Sequence, residues 1–187
     1  MLYDQLTGAL EALLFAAGEP ISVADIATLM QLDKPQVWSL LGNLQAAYEQ
    51  ENRGLMLREV AGGYQLVTKP VHYNLITSLS KSRTVKLTNA ALETLAIIAF
   101  KQPVTRAEME GIRGVKVDGV VNTLLDLGLI EEAGRKKAPG NPLLYGTTDK
   151  FLQVFGMNSL EDLPRVELEQ ALEAPEKPEQ QLLDMPE

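Results

Sequence analysis

The chain contains an internal repeat, and this feature limits the folds available to it more than any other. Residues 103–109 (PVTRAEM) correspond to residues 20–26 (PISVADI) at an offset of 83 positions. The same offset aligns three apolar positions further along: Val37 with Val120, Leu41 with Leu124, and Leu44 with Leu127. Self-similarity at a fixed spacing indicates that one supersecondary unit occurs twice. Each copy must then bury an apolar face within itself or against its neighbour.

The first copy predicts three helices followed by two strands. Apolar residues at helical spacing place the helices at 2–17, 23–30 and 34–51. Ser22 and Asp33 are the expected N-caps of the second and third helices. Alternating residues predict a β-hairpin with strands at 55–60 and 64–68. This order is that of a winged helix, a helix-turn-helix followed by a hairpin.

The second copy repeats the order. Thr88 caps its first helix, at 88–101, and Thr105 with Glu108 forms a capping box for the next helix. The later elements are a helix at 116–127, a strand at 129–132, a wing loop at 135–142, a strand at 143–147 and a helix at 148–155. We therefore expect a mostly α-helical protein with small β-hairpins, in the α+β class, made of two tandem winged-helix domains.

The predicted boundaries divide the chain into four segments. They are an N-terminal winged-helix domain at 1–80, a linker at 81–87, a C-terminal winged-helix domain at 88–156 and an acidic, largely disordered tail at 157–187. Of the net charge of −8, nearly all falls in the tail, which has two basic and nine acidic residues. Residues 88–156 have eight of each sign. A neutral body with an acidic tail lacks the basic footprint expected of a DNA-binding domain.

The composition excludes several classes of chemistry. The chain has no cysteine and one histidine, His72, so it can form no disulfide, cysteine nucleophile or zinc site built on two histidines. We find no catalytic constellation and expect no cofactor and no metal. No apolar run reaches the length of a membrane helix, so we expect a cytoplasmic protein with no membrane partner.

The winged-helix order raises DNA binding as an alternative, that of a winged-helix transcription regulator. Such a protein reads bases from the exposed face of its recognition helix with Arg, Lys, Asn or Gln. The helix at 116–127 offers Lys116 and Asn122, but also Asp118 and Asp126, which repel phosphates. The one cationic run is Arg135, Lys136 and Lys137 in the second wing. We expect at most a weak or indirect DNA contact there.

Surplus apolar surface favours protein partners. The helix at 91–100 is apolar nearly all round, whereas a small domain buries only one stripe of a helix. Either the neighbouring copy or an external partner covers the rest. The first helix is similarly rich, and packing of two copies through it, around Leu10 and Leu14, would give a homodimer.

Four stretches of the chain resemble the segregation and condensation protein B (ScpB) family. The strongest is ALETLAIIAFKQPVTRAEMEGIRG at 91–114, and the others lie at 11–22, 62–70 and 141–164. They occur in the right order at compatible spacing and cover about residues 5–165. Two positions depart from the family pattern: Phe100 stands where Tyr is expected, and Asn141 where Arg is expected.

The resemblance implies a function that composition and periodicity do not reach. Members of this family are non-enzymatic adaptors with two winged-helix domains that dimerise mainly through the first. They bind the kleisin, segregation and condensation protein A (ScpA), which bridges the ATPase heads of the SMC protein, so contact with SMC is indirect. The condensin complex acts in chromosome condensation and segregation during cell division, at the nucleoid.

The same stretch supplies the expected kleisin contacts, because apolar and polar residues cluster where the resemblance is strongest. The expected residues are Ile97, Ile98, Phe100, Lys101, Gln102, Arg106 and Arg113. Ile97 and Ile98 are equally open to a role in the core of the domain.

Overall fold

The computed structural model describes residues 2–79 and 87–164. In the first domain three helices precede a hairpin, and a single 3-10 turn leads into a short fourth helix. The elements are α1 (Leu2–Ala17), α2 (Val23–Met30), α3 (Lys34–Glu49), β1 (Leu55–Val60), β2 (Gly63–Thr68), a 3-10 turn (Pro70–His72) and α4 (Tyr73–Leu79). β1 and β2 pair antiparallel, from Leu55 opposite Thr68 to Val60 opposite Gly63.

The second domain repeats the plan and adds a third, two-residue strand between its first two helices. Its elements are α5 (Asn89–Lys101), β3 (Val104–Thr105), α6 (Arg106–Arg113), α7 (Asp118–Asp126), β4 (Ile130–Arg135), β5 (Leu143–Thr147) and α8 (Asp149–Phe155), followed by a 3-10 turn (Leu160–Asp162). The three strands form an antiparallel sheet in the order β3-β5-β4. The α+β class and the two winged-helix units are thus confirmed.

Each domain has its own hydrophobic core, as the repeat requires. The first core joins α1, α2, α3 and the hairpin around Leu10, Ile26 and Leu41. The second joins α5, α6, α7 and the sheet around Ile98, Met109 and Leu124. Burial of such side chains from each amphipathic helix is the main stabilising contribution, about 25 cal/mol for each Å² of apolar surface removed from water.

Equivalent residues of the two copies form equivalent strand pairs and helix caps. Ile21 forms an isolated bridge with Tyr64, and Val104, which corresponds to Ile21 in the repeat, pairs with Tyr145 on β5. The predicted N-caps Ser22, Asp33 and Thr105 are all in place. Thr105 forms the full capping box with Glu108, whereas Ser22 accepts only from the Asp25 N–H, at 3.1 Å. The sequence did not predict β3, which exists only because β5 lies beside it.

The two domains meet where the tip of the first hairpin touches the end of the second domain. The Ala61 N–H donates to the Met157 carbonyl at 2.9 Å, and the Gly62 N–H donates to Asn158 Oδ1 at 2.8 Å. The Asn158 side chain in turn donates to the Glu59 carboxylate at 3.0 Å. Asn158 therefore joins a loop backbone and a strand side chain of the other domain.

This contact moves one predicted boundary. Met157 and Leu163 pack against the second core, so the second domain extends to at least Pro164 and does not stop at 156. After β2, the described part of the first domain ends in the 3-10 turn and α4. Residues 80–86, which include most of the predicted linker, and the predicted tail from residue 165 lie outside the described residues.

Gly63 lies where the first hairpin comes close to the backbone of the segment before α2. A substitution at this position tests how close that contact is. A Cβ at Gly63 would lie 2.8 Å from the backbone carbon and oxygen of Ile21, which cannot move aside cheaply. We expect Gly63→Ala to lower the free energy of unfolding by about 1–3 kcal/mol, the usual range for overpacking. Urea unfolding measures it.

Gly42 is the matched control. It lies in the middle of α3 and is exposed, and a methyl group added there would meet no other part of the chain within 4 Å. Gly42→Ala should raise the free energy of unfolding by up to about 1 kcal/mol, because alanine is the better helix former. Equal effects of the two changes would contradict the close approach at Gly63.

Candidate partner-binding surface of the second domain

α5 is the helix that organises this surface, because it is apolar on two sides. Its inner side, which includes Leu95 and Ile98, is buried in the second core. Its outer side carries Leu92, Ala96 and Phe100, one residue per turn. This outer stripe is the surplus apolar surface that the composition of the helix predicts.

Ile97 and Ile98 lie inside the domain. Their exposed fractions are 1% and 0%, and both belong to the second core. Neither side chain reaches a surface that another protein could contact in this fold. Of the two roles that the sequence leaves open for them, the structure places them in the core.

Arg113 fastens α6 to the start of α5. Its guanidinium donates to the Ala90 carbonyl at 2.8 Å and to the Thr94 hydroxyl at 2.6 Å, and it pairs with Glu93 at 2.9 Å. Only 11% of the side chain is exposed. A partly buried guanidinium needs such partners, because an unpaired buried charge is strongly destabilising. Arg113 thus has a structural role within the domain.

Arg106 binds polar side chains on α7, the helix that reads bases in a DNA-binding winged helix. Its Nε donates to the Tyr145 hydroxyl at 2.8 Å, and its two terminal nitrogens donate to Asp118 at 2.7 Å and Asn122 at 3.0 Å. Asp118 and Asn122 are polar positions of α7, the helix in the recognition position. Their side chains are therefore engaged within the domain and do not point freely at a groove.

Gln102 is likewise held by its own domain. Its side-chain oxygen accepts from the Thr147 N–H at 2.7 Å, and its nitrogen donates to the Ala99 carbonyl at 3.2 Å. The end of α5 is thereby tied to β5. Of the seven residues expected to contact a kleisin, Phe100 and Lys101 are the two that combine an outward position with side-chain groups not used inside the described domain.

Phe100 lies at one end of an apolar groove between α5 and α8, which we call the α5–α8 groove. It encloses about 280 Å³. Six of the residues that line it are Leu92, Ala96, Phe100, Phe155, Met157 and Pro164. Phe155 stacks in a tilted arrangement on Phe151, with ring centroids 4.8 Å apart. The sequence alone did not indicate this groove, since α8 and residues 157–164 complete it.

Two of the three basic residues in the second wing have partners within the domain. Lys136 forms an ion pair with Glu108, and Arg135 donates to the Asn141 carbonyl at 3.0 Å. Lys137 is exposed, and the described residues offer it no ion pair. Hydrogen bonds from the Lys136 ammonium, and then from the Thr105 N–H and hydroxyl, lower the pKa of Glu108 to about 2.

In the first domain, the predicted dimer residues are internal. Leu10 and Leu14 are 0% and 1% exposed and form part of the first core. Their side chains therefore cannot themselves meet a second chain in this fold, because α1 turns this stripe toward α3. On the same helix, Phe15 faces outward and is exposed.

A larger apolar patch, which was not predicted from the sequence, lies on and before α4. Val71, Tyr73, Leu75, Ile76 and Leu79 are all exposed. Within the described residues, every side chain of α4 is exposed and none is buried. The signal was present in the sequence as four large apolar residues within one seven-residue helix.

The described residues were also compared with the requirements for a metal site and for a membrane-spanning helix. Within 2–79 and 87–164, no three His, Asp or Glu side chains come together in a way that could hold a metal ion. The helices of these two stretches include none with the length and apolarity of a membrane-spanning segment.

Comparison of the sequence with known proteins identifies its relatives. The family model of segregation and condensation complex subunit ScpB matches residues 8–166. Segregation and condensation protein B of Moorella thermoacetica is 54% identical over 164 residues, which are 88% of this chain and 84% of that protein. The protein of the same name from Symbiobacterium thermophilum is 48% identical over 169 residues, 90% of this chain and 77% of that protein.

Solved structures with similar sequences exist as well. The crystal structure of ScpB from Mycobacterium tuberculosis is 36% identical and covers 83% of this chain and 97% of that chain, with a TM-score of 0.40. The crystal structure of a dimer of the ScpB N-terminal domain complexed with an ScpA peptide is 30% identical and covers 43% of this chain and 100% of that chain, with a TM-score of 0.42. Because both TM-scores are below 0.5, we assign the family on the sequence matches.

The ion pair between Glu108 and Lys136 predicts a dependence of stability on pH. Because the pKa of Glu108 is lowered to about 2 from 4.5, its contribution is present above pH 4.5 and is lost as the pH falls toward 2. Glu108→Gln should therefore be less stable than the original chain at pH 7, and the difference should shrink over that range. Urea unfolding across the pH series measures it.

Glu132→Gln is the control for this experiment. Glu132 is an exposed carboxylate on β4 for which the described residues provide no ion pair. Its replacement should change stability little at any pH in the series. A deficit of Glu108→Gln that stays constant down to pH 2 would contradict the assigned role of the ion pair.

Proposed function

The chain belongs to the segregation and condensation complex subunit ScpB family, and we propose that it is the adaptor subunit of a bacterial SMC condensin complex. It binds the kleisin ScpA, and through the kleisin it meets SMC, in chromosome condensation and segregation during cell division. The observation that carries this proposal is the family match over residues 8–166, which spans both winged-helix domains. Its place of action is the cytoplasm, at the nucleoid.

A non-catalytic role is supported by the work that the polar side chains do. Arg113 holds α6 on α5, Arg106 holds α7 on β5, and Glu108 holds the wing on α6. Each of these charged groups forms hydrogen bonds with other elements of its own domain. These side chains therefore support the fold of the domain, and none of them is arranged as a catalytic group.

We place the kleisin contact at the C-terminal end of α5, on Phe100 and Lys101. Phe100 offers an apolar face at the end of the α5–α8 groove, and Lys101 offers an exposed cation beside it. Aromatic residues such as phenylalanine are enriched in the cores of protein–protein interfaces, and a charged residue at the rim steers a partner of opposite charge into place. The other five expected residues support this contact from within, as core or as fasteners.

We place the homodimer contact in the first domain, on the exposed patch of α4. A seven-residue helix with no buried side chain is too short to be stable alone in water. Its apolar residues gain most if a second copy covers them. Leu10 and Leu14 take part only indirectly, by holding α1 in its own core.

The alternative, a winged-helix transcription regulator, is less well supported. Asp118 and Asn122 on α7 are bound by Arg106, and Asp126 adds negative charge to the same helix. Phosphate contacts provide most of the affinity of DNA-binding proteins, and they require unpaired cations. In the second wing, Lys136 is paired with Glu108, which leaves Lys137 and Arg135 for such a contact within the described part of the chain; Arg135 is hydrogen-bonded to the Asn141 carbonyl.

Lys101 provides the test of kleisin binding. We expect Lys101→Glu to weaken the affinity for the kleisin about tenfold, because charge reversal replaces attraction with repulsion at the interface. Isothermal titration calorimetry with the purified kleisin measures the dissociation constant.

Lys137→Glu is the matched control, because it makes the same change of charge on an exposed lysine of the same domain. It should leave the affinity unchanged. If Lys101→Glu and the original chain bind the kleisin with equal affinity, the proposed contact at the end of α5 is wrong. A complete lack of kleisin binding by the original chain would overturn the adaptor proposal itself.

The α4 patch provides the test of the dimer. We expect the double change Leu75→Glu and Ile76→Glu to convert a dimer to a monomer, because it puts two charges into an apolar contact. Light scattering on a size-exclusion column should show the mass fall to that of one chain, 20.5 kDa. Leu29→Glu, on an exposed leucine of α2, should leave the mass unchanged. A dimer that survives the double change would contradict this placement.

A further inference from the structure

The α5–α8 groove is apolar along its whole length and is open to solvent in the described part of the chain. Leu92 is 42% exposed and Phe155 46% exposed, at opposite walls of the groove. From Leu92 to Phe100 the groove follows two turns of α5, about 12 Å at 1.5 Å per residue. An exposed apolar trench of this kind marks a place where another segment binds.

The chain itself leaves the described structure at the rim of this groove. Pro164 is the last described residue, and it lines the groove together with Met157. The next 23 residues, 165–187, therefore start beside it. Eight extended residues reach about 26 Å at about 3.3 Å each, more than twice the length needed to follow α5 from Phe100 to Leu92.

The first part of that segment has the apolar residues that such a groove accepts. The sequence of 165–172 is RVELEQAL, with Val166, Leu168 and Leu172 as its large apolar residues. Glutamates alternate with them at 167 and 169. In an extended conformation, Val166, Leu168 and Leu172 would lie on one side of such a segment and the two glutamates on the other.

The charges at the two ends of the groove suit an acidic segment. Lys101 directly follows Phe100, is exposed, and has no ion pair within the described residues. Glu93, next to Leu92, is paired with Arg113 at 2.9 Å, so its negative charge is compensated. Residues 165–187 contain two basic and seven acidic residues. Attraction to Lys101 is therefore not offset by an unpaired carboxylate on α5.

We propose that residues 165–172 fold back on their own chain and bind in the α5–α8 groove, with Val166, Leu168 and Leu172 against its walls. The attachment at Pro164 favours this binding, because a tethered segment acts at a high effective concentration. An external chain that uses Phe100 must then displace the segment. That last consequence rests on the proposed function, whereas the binding of the segment does not.

A spin label on the tail tests the proposal with the full chain and without any partner. Because the chain has no cysteine, Ala174→Cys offers a single site for a nitroxide label. The expected result is a selective loss of methyl signal intensity at Leu92, Ala96 and Leu163 in NMR spectra. Methyl signals of the first core, such as those of Leu41, should keep their intensity. Uniform spectra with no loss at the groove would overturn the proposal.

Two variants separate binding in the groove from chance proximity of the tail. Leu92→Glu puts a charge in the groove, and Leu168→Glu with Leu172→Glu removes the apolar side of the segment. Each should restore the signal of Ala96, whereas Leu163 lies too close to the label along the chain to serve as this readout. Val115→Glu, an exposed apolar residue of the same domain outside the groove, should leave the signal loss in place. Circular dichroism verifies that each variant folds. Persistent signal loss in the folded groove and segment variants would refute the proposal.

A mixed sample distinguishes the chain's own tail from that of a second copy. Isotope-labelled chains without the spin label are mixed with spin-labelled chains that carry no isotope. Binding within one chain predicts no signal loss at the groove in this mixture. Signal loss in the mixture would overturn the intramolecular proposal and assign the groove to the tail of a partner copy. Since no kleisin is present, failure here leaves the adaptor proposal untouched.

Discussion

Burial of one side of α5 is the constraint on which the second domain depends. The inner residues of the helix, such as Leu95 and Ile98, fill the core that α6, α7 and the sheet enclose. A helix that is apolar nearly all round cannot bury its whole circumference in a domain of this size. Its outer stripe of Leu92, Ala96 and Phe100 is therefore left for other segments to cover. The groove, the expected kleisin contact and the proposed site for the tail all follow from that surplus.

Several polar side chains in this fold form hydrogen bonds that connect one helix or strand to another. Arg106 joins α6 to α7 and β5, and Arg113 joins α6 to α5. Asp118 and Asn122, which Arg106 binds, are polar positions of α7, the helix in the recognition position. Both guanidiniums are committed to neighbours within the domain, so they are not available for phosphate contacts. A winged helix thus defines a scaffold, and the engagement of its charges decides what the scaffold can bind.

The junction between the domains depends on few groups. Asn158 accepts from the Gly62 N–H and donates to Glu59, while the Ala61 N–H donates to the Met157 carbonyl. Because these contacts lie at the tip of the first hairpin, the wing of one domain serves as the docking element for the other. The same segment, 157–164, also forms one wall of the α5–α8 groove. The docking of the domains and the shape of the groove are therefore coupled through a few residues.

Local signals in the sequence determined much of the fold. The repeat, the caps at Ser22, Asp33 and Thr105, and the alternation in the hairpins predicted nearly every helix and strand, because these signals act over a few residues. The family could also be identified from short stretches. The tertiary structure alone decided which polar residues are free, since Arg113 and Gln102 find their partners 19 to 45 positions away. It also decided that Leu10, Leu14, Ile97 and Ile98 are core and that residues 157–164 belong to the second domain. The physical reason is that burial and pairing depend on contacts between distant segments, which helical or strand periodicity does not specify.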